Sequence, residues 1–342
     1  MTIKCLAATQ VGGELQEFSY EPAELSPLDI ELAISHCGVC HTDIHMIENE
    51  DEGSTYPLVP GHEIVGVITQ KGSEVQDLEI GQRVGVGFQR STCLECDSCT
   101  RGDEQFCPDL QETCRGHYGG YADAIRTDSR FAFPIPKALS SENAATLLCA
   151  GITVYSPLRH FEIQPGQRVG VIGIGGLGHL ALQFARAWGC VVTAFSSSAD
   201  KEGEAREFGA HHFASSVDAS ALEKADLGQD LILSTVHKGL DWEAYVNLLR
   251  PYGRLCFVGA IFDKPIQISA LSLIWGNKSV CGSLLGNRSC MREMFDFAAR
   301  HGIEAKTEVV PMSEANAAIQ KVRSNRARYR MVLGNSVDPA GN

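Results

Sequence analysis

Four cysteines fall within fifteen residues, Cys93, Cys96, Cys99 and Cys107, in the spacing C-x2-C-x2-C-x7-C. Thiolates at such short intervals can converge on one tetrahedral Zn²⁺, and four sulfur ligands leave that ion no open position for substrate. The segment therefore predicts a structural zinc lobe, set as an insertion in an irregular loop. It also directs attention to any second set of metal ligands and to a cofactor site elsewhere in the chain.

Length and composition bound the rest. The 342 residues suffice for two domains, each with its own core. With 44% apolar and 21% charged residues, the chain reads as an ordinary globular protein. Its 29 basic and 42 acidic residues give a formal charge of −13. That balance argues against nucleic acid or an anionic membrane as the main partner, while leaving room for a local basic site that holds a phosphorylated cofactor. The start, Met1 to Ala8, lacks the apolar stretch and cleavage site of a signal peptide, and no apolar run approaches the roughly 20 residues of a membrane helix. The chain is too long and core-rich for a disulfide scaffold despite 13 cysteines. Cys5, Cys37, Cys114, Cys190, Cys256, Cys281 and Cys290 are scattered and read as reduced thiols, so a cytoplasmic location is expected.

The first 150 residues alternate short apolar runs with glycine and proline, as in 29–35, 64–69 and 83–87, which predicts a mostly β domain. The texture changes near Ser140. A helix-start signature at Ser141 opens an amphipathic helix, and from Gln167 onward apolar strands alternate with helices. Strands are expected at 168–173, 191–195, 230–234 and 253–259, with helices at 176–189, 200–209 and 291–301. Such alternation implies a parallel sheet with right-handed crossovers. The last sixty residues return to mixed texture and are expected to rejoin the first domain.

Within the alternating region, Gly173-Ile-Gly175-Gly176-Leu177-Gly178 follows an apolar strand and opens a helix. This is the context a G-x-G-x-x-G dinucleotide turn needs: a tight turn, backbone approach to a pyrophosphate, and close packing of helix on strand. The phosphate then meets the helix N-terminus. About 20 residues on, an NAD site usually carries an acidic residue for the ribose 2′-hydroxyl. This chain has Ser196, Ser197 and Ser198 followed by Asp200 and Lys201. Hydroxyls and a lysine suit a 2′-phosphate, so NADP(H) is the expected cofactor. A serine-rich turn with a solvated lysine is the plainer alternative.

A second constellation lies in Cys37-Gly-Val-Cys40-His41-Thr42-Asp43-Ile44-His45, followed by Gly61-His62-Glu63 and, much later, Cys149. A catalytic zinc needs about three protein ligands and one open position, which Cys40, His62 and Cys149 would supply. Spacing alone leaves open whether each cysteine is a ligand or a small buried hydrophobe.

These segments resemble the zinc-dependent medium-chain alcohol dehydrogenase family. They are most similar to its cinnamyl alcohol dehydrogenase-like branch, which includes bacterial NADPH-dependent aldehyde reductases. The motifs that carry the likeness are C-G-V-C-H-T-D, Y-P-L-V-P-G-H-E, the four-cysteine lobe, L-L-C-A-G-I-T-V-Y, V-I-G-I-G-G-L-G-H and the final A-R-Y-R-M-V-L, so it covers nearly the whole chain. It implies an α/β architecture in which a mostly β, GroES-like catalytic domain (1–150 and 287–342, with the zinc lobe near 90–110) holds an inserted Rossmann domain, a doubly wound parallel sheet (151–286). Two zinc ions per chain are implied, one catalytic on Cys40, His62 and Cys149 and one structural. Asp43 matches the carboxylate that orients the ligand histidine. Glu63 matches a residue near the metal and is equally suited to partner a buried basic group. Thr42 and His45 match a proton relay, Thr153 a position beside the nicotinamide ring, His41 a place near the cofactor phosphates and Arg330 a pyrophosphate contact. Phe88, Ile47 and Leu285 are candidates for an apolar substrate pocket. The remaining histidines receive no role.

The implied activity is reversible hydride transfer between NADPH and an aldehyde, with a homodimer as the expected assembly. A polyol or secondary-alcohol dehydrogenase with the same zinc chemistry is the alternative. A zinc-free quinone reductase of the same superfamily conflicts with the intact ligand positions. A zinc-knuckle binding protein conflicts with the acidic residues Glu95, Asp97, Asp103 and Glu104 around the lobe.

Overall fold

In the computed structural model, which describes residues 1–216, 228–261 and 265–335, the chain divides into two compact units. One comprises Met1–Cys149, Gly286–Arg300 and Glu304–Asn342; the other comprises Ala150–Leu285 and His301–Ile303.

The first unit is built on a seven-stranded sheet. Its strands run in the order Thr307–Pro311, Arg330–Gly334, Asp29–Val39, Ile64–Lys71, Arg83–Val86 and Ala132–Pro134, with Ala124–Asp128 also paired to Asp29–Val39. Only the first two run parallel; the other pairs are antiparallel. Asp29–Val39 is the hub. Ile30, Leu32, Ile34, Cys37 and Val39 all lie in the core, so this long strand carries the nearly continuous apolar run of an element covered on both sides. One buried charge sits in it. Glu31 accepts hydrogen bonds from Thr69 Oγ1 (3.0 Å), Gln70 Nε2 (2.8 Å) and Arg126 Nε (2.8 Å), which offset its desolvation. The strand extends four residues beyond its expected end at Ser35, which carries the sheet up to Cys40.

The second unit is a parallel sheet whose six described strands are ordered His212–Ser215, Val191–Ser196, Arg168–Ile172, Gln229–Ser234, Leu249–Phe257 and Ser279–Gly282. Numbered along the chain this is 3-2-1-4-5-6, the order of a dinucleotide-binding sheet. The strand order reverses at the carboxyl ends of Arg168–Ile172 and Gln229–Ser234, where ligands bind in open sheets of this kind.

Three local expectations shift. The helix expected at 176–189 starts at Gly178, because residues 173–177 form the turn. The stretch 200–209 is a 3₁₀ turn, Ala199–Lys201, leading into a helix over Glu202–Glu207. The helix expected from Ser141 is broken into Ser141–Thr146, a π-helical turn over Leu147–Gly151, and Ile152–His160. A π turn adds a residue to the helical repeat and re-aims the side chain within it, a distortion common at functional sites. Here the re-aimed residue is Cys149.

The glycine turn shows why its last position is small. A Cβ on Gly178 would lie 1.9 Å from the Gly173 carbonyl oxygen, whereas a Cβ on Gly175 meets nothing within 4 Å. Gly178→Ala should therefore cost about 1–3 kcal/mol by denaturant midpoint, as overpacking does. Gly175→Ala should stay within about 0.5 kcal/mol of the parent. Equal midpoints for all three proteins would show that the helix slides away at no cost.

Candidate metal and cofactor sites

The helix His41–Glu48 begins where the central strand ends, and Cys40 is its N-cap. The cap is tied by Asp43, whose Oδ2 accepts the Cys40 N–H at 2.9 Å. The same carboxylate is fully buried and accepts from three more donors: Gly61 N (3.0 Å), His62 Nδ1 (3.0 Å) and Tyr121 Oη (3.3 Å). A carboxylate on Nδ1 fixes the proton there and leaves Nε2 as a bare lone pair. Nε2 of His62 is buried and has no hydrogen-bond partner among the described residues.

That lone pair faces sulfur. Ligand atoms of Cys40, His62, Glu63 and Cys149 lie within 4.8 Å of one another, all buried, and the two sulfurs are 3.9 Å apart. A hydrogen bond from Cys149 holds the Cys40 thiol well below its ordinary range, and His62 adds to the effect. An orphaned imidazole nitrogen beside two close cysteine sulfurs, one of them thiolate-prone, is the donor set of a zinc ion. The residues fit the metal.

Two charged neighbours complete the surroundings. Burial pushes the Glu63 carboxyl up to about 7 against the pull of Arg330. The Arg330 guanidinium is itself buried, and its Nη2 donates to both Glu63 oxygens. Both places open to Glu63 in the sequence are occupied at once: its carboxylate pairs with a buried base and lies among the candidate ligand atoms. Arg330, expected on a cofactor pyrophosphate, directs its Nη2 at Glu63, and its buried Nε has no hydrogen-bond partner among the described residues. Thr42 Oγ1 lies 3.6 Å from Cys40 Sγ. His45 pairs through Nδ1 with Glu50 from the acidic stretch that follows the helix. His41 is half-buried, with its ring 6.3 Å from that of His45.

Two contributors escaped sequence reading, Tyr121 and Cys114. Cys114 is buried against the Asp43–His62 pair. Neither has a spacing that would reveal it; only the fold brings them in. Phe88 stands edge-on to the His62 ring, 5.8 Å between centroids. Ile47 lies in the core of the first unit, and Leu285 is buried within the second.

The four-cysteine lobe closes as its spacing demands. Sγ separations are 3.9 Å for Cys93–Cys99, 3.9 Å for Cys96–Cys107 and 3.5 Å for Cys93–Cys107. Backbone N–H groups of Glu95 and Cys96 pull the Cys93 thiol down to about 7. Glu104 anchors the lobe by accepting from the backbone N (2.8 Å) and Nε (2.9 Å) of Arg288.

In the second unit, Gly173 has φ +86°, a conformation that favours glycine, and the space over Gly175 is open. Thr235 Oγ1 donates to the carbonyls of Ile172 (3.0 Å) and Gly173 (2.8 Å) and fastens the turn to the neighbouring strand. Gly176 and Leu177 complete the turn before the helix Gly178–Ala187. Lys201 reaches back to this turn, Nζ donating to the Ile174 carbonyl at 2.7 Å. Its ammonium thus joins the serine-rich strand end to the glycine turn. Ser196 is buried, its Oγ bonded to the Ser198 backbone, while Ser197 is exposed and Ser198 half-exposed. Thr153 is buried in the helix Ile152–His160.

Comparison with known proteins agrees with both units. Residues 26–137 match the alcohol dehydrogenase GroES-like domain, and residues 176–300 match the zinc-binding dehydrogenase domain. Over 334 residues the chain is 42% identical to aldehyde reductase AdhA of Synechocystis sp., covering 98% of this chain and 99% of that one. Cinnamyl alcohol dehydrogenase SbCAD4 of Sorghum bicolor superposes with a TM-score of 0.94 at 38% identity, covering 98% of each chain. The CAD of Helicobacter pylori, solved as a complex with NADP(H), gives 0.90 at 32% identity, again over 98% of each. With orphaned His62 beside paired thiols, a closed four-cysteine lobe and these likenesses along its length, the chain belongs to the GroES-like, zinc-binding alcohol dehydrogenase family.

Proposed function

We propose that this protein is a zinc-dependent, NADPH-linked aldehyde reductase, reversible as an alcohol dehydrogenase. The observation that carries the reading is His62 Nε2, buried and unpartnered against the sulfurs of Cys40 and Cys149. These three residues would hold the catalytic zinc, and Cys93, Cys96, Cys99 and Cys107 the structural one. When bound, the catalytic zinc supplies a Lewis acid for the carbonyl oxygen, and NADPH supplies the hydride.

The chain's own residues do the rest. Asp43 keeps the proton on His62 Nδ1 and so holds the ring in its ligand tautomer. Arg330 holds the Glu63 carboxylate by a two-oxygen contact. Thr42, beside Cys40, donates a proton toward the product oxygen. His45 passes protons onward to solvent, a task suited to an imidazole with two ring nitrogens. Gly173, Gly175, Gly176, Leu177 and Gly178 cradle the pyrophosphate at a helix N-terminus. Ser197, Ser198 and Lys201 receive the 2′-phosphate, with Ser196 shaping their turn. Thr153 packs beside the nicotinamide, and His41 lies toward the phosphates. The NADP(H) complex of the Helicobacter relative supports the coenzyme assignment.

For the assembly, we propose a homodimer formed edge to edge through Ser279–Gly282. That strand ends the sheet, and Leu271, Ile274 and Trp275 are exposed nearby, Trp275 by 81%. An uncovered edge beside large apolar side chains invites a second copy. All cysteines are free thiols, and among the described residues no helix is long and apolar enough to cross a membrane. Both fit a cytoplasmic location.

The direct test is the initial rate of coenzyme oxidation with an aromatic aldehyde. NADPH should be preferred strongly over NADH, and Lys201→Glu should weaken NADPH by about ten-fold or more while sparing NADH. Equal losses would remove Lys201 from the phosphate site. Cys149→Ser should abolish turnover and lower bound zinc from two ions per chain toward one. Normal turnover would overturn the ligand set. Sedimentation of Trp275→Glu should show monomers where the parent shows dimers; an unchanged dimer would place the seam elsewhere.

A further inference from the structure

In the second unit, sheet register sets two cysteines side by side. Cys256 and Cys281 are direct partners in the parallel pairing of Leu249–Phe257 with Ser279–Gly282. Adjacent strands lie about 4.8 Å apart, inside the Cα separation of roughly 4.4–6.8 Å that a disulfide spans. Among the described residues no other two cysteines are partners in a ladder. Both are free thiols.

Strand alternation decides which way the two sulfurs point. Leu255 and its partner Val280 leave on the face that packs with Ile172, Trp242 and Tyr245. Cys256 and Cys281 therefore leave on the opposite face, with Arg254, whose guanidinium stands 5.2 Å from the Phe161 ring centre. There the two thiols are within hydrogen-bonding reach of each other. Cys256 is 0% exposed, one strand in from the edge, while Cys281 lies on the last strand and is half-buried. A second copy pairing along Ser279–Gly282 would meet the backbone of that strand, not the face from which the Cys281 sulfur leaves.

Unequal surroundings give the two sulfurs different parts. The Cys256 thiol donates to Cys281 and draws the Cys281 thiol below its ordinary range, with help from the Arg254 charge. The same bond, together with burial, keeps Cys256 protonated. The thiolate is the reactive form of a cysteine, so the outer sulfur is the nucleophile and the inner one its neighbour in waiting. We propose that Cys256 and Cys281 form a redox modification site for hydroperoxides, with Cys281 as the attacking sulfur and Cys256 as the resolving one. The Cys281 thiolate attacks the terminal oxygen of the hydroperoxide and the O–O bond breaks. The alkoxide leaves as an alcohol (water, for hydrogen peroxide) with the proton that Cys281 gave up. The sulfur is then a sulfenic acid, and the peroxide has taken its two electrons. Cys256 attacks that sulfur; an S–S bond forms, the S–O bond breaks, and hydroxide leaves as water with the Cys256 proton. Because the partners already face each other, the bond closes without a change of register, and an external dithiol reverses it.

The test is a tryptic map of the zinc-loaded protein after brief exposure to hydrogen peroxide, with remaining thiols blocked by iodoacetamide in denaturant. Cleavage separates the pair into peptides 255–278 and 279–288, each carrying one cysteine. The two should be recovered joined in most chains, ahead of any oxidation at the buried Cys5, Cys190 or Cys290, and dithiothreitol should part them. Cys256→Ala should leave a sulfenic acid at Cys281 that dimedone traps, and Cys281→Ala should leave Cys256 unoxidised. Both peptides recovered unlinked and alkylated from the peroxide-treated parent would overturn the proposal. So would a link between Cys281 and its counterpart in a second copy, or sulfinic acid at Cys281 in place of the link.

Discussion

A single buried carboxylate organises the metal-facing part of this molecule. Asp43 accepts from the backbone of Cys40 and of Gly61, from the His62 ring and from Tyr121. The four bonds tie down three elements: the start of the helix that carries Thr42 and His45, the loop that delivers His62, and the segment around Tyr121. A fully buried carboxylate without such donors would be strongly disfavoured. Given four, it becomes the point about which strand end, loop and helix are mutually fixed. The consequence for chemistry is the tautomer of His62, and through it an imidazole lone pair that has no partner among the described residues.

The two sulfur-rich sites differ in what assembles them. In the lobe, four ligands come from fifteen consecutive residues, and a short helix Asp97–Thr100 with one 3₁₀ turn suffices to gather them. In the other site the candidate ligands Cys40, His62 and Cys149 come from a helix N-cap, a loop and a π-helical turn. Local folding can gather the first set. The second exists only once the seven-stranded sheet and the Asp43 node have formed. A lesion in the sheet should therefore harm the second site before the first.

This difference also explains what could be read from the sequence. The cysteine spacing and the glycine turn were legible because their chemistry is local: four thiols in one lobe, and a Gly178 that must admit the Gly173 carbonyl. The alternation of strands and helices identified the parallel sheet, but not the early start of Leu249–Phe257 or the break at Leu147–Gly151. A π turn has no compositional mark, since Leu147, Cys149 and Ile152 would suit an ordinary amphipathic helix equally well. Tyr121 and the pairing of Arg330 with Glu63 were illegible for another reason. They join residues that only sheet register or long-range packing brings together. Resemblance placed Arg330 near a pyrophosphate; side-chain geometry shows its Nη2 bound to Glu63.

That pairing bears on why the site tolerates so much buried acid. Cys40, Cys149, Asp43 and Glu63 are four buried groups with acidic protons, gathered round one imidazole. Arg330 is the buried guanidinium that faces them, held fully cationic by Glu63 and the thiols despite its burial. One cation cannot balance four anions in a medium of low dielectric, so without help the thiols must keep their protons. Cys40 and Cys149 then share what negative charge there is, one sulfur donating to the other. A divalent ion held by these residues would remove the shortage and let both thiols ionise. Arg330 fits that picture as the charge that lets Glu63 stay ionised so near two thiolates. The strand Arg330–Gly334, laid against the central strand at Val39 and Gly38, thus brings the far end of the chain to the ligand set as part of its electrostatics.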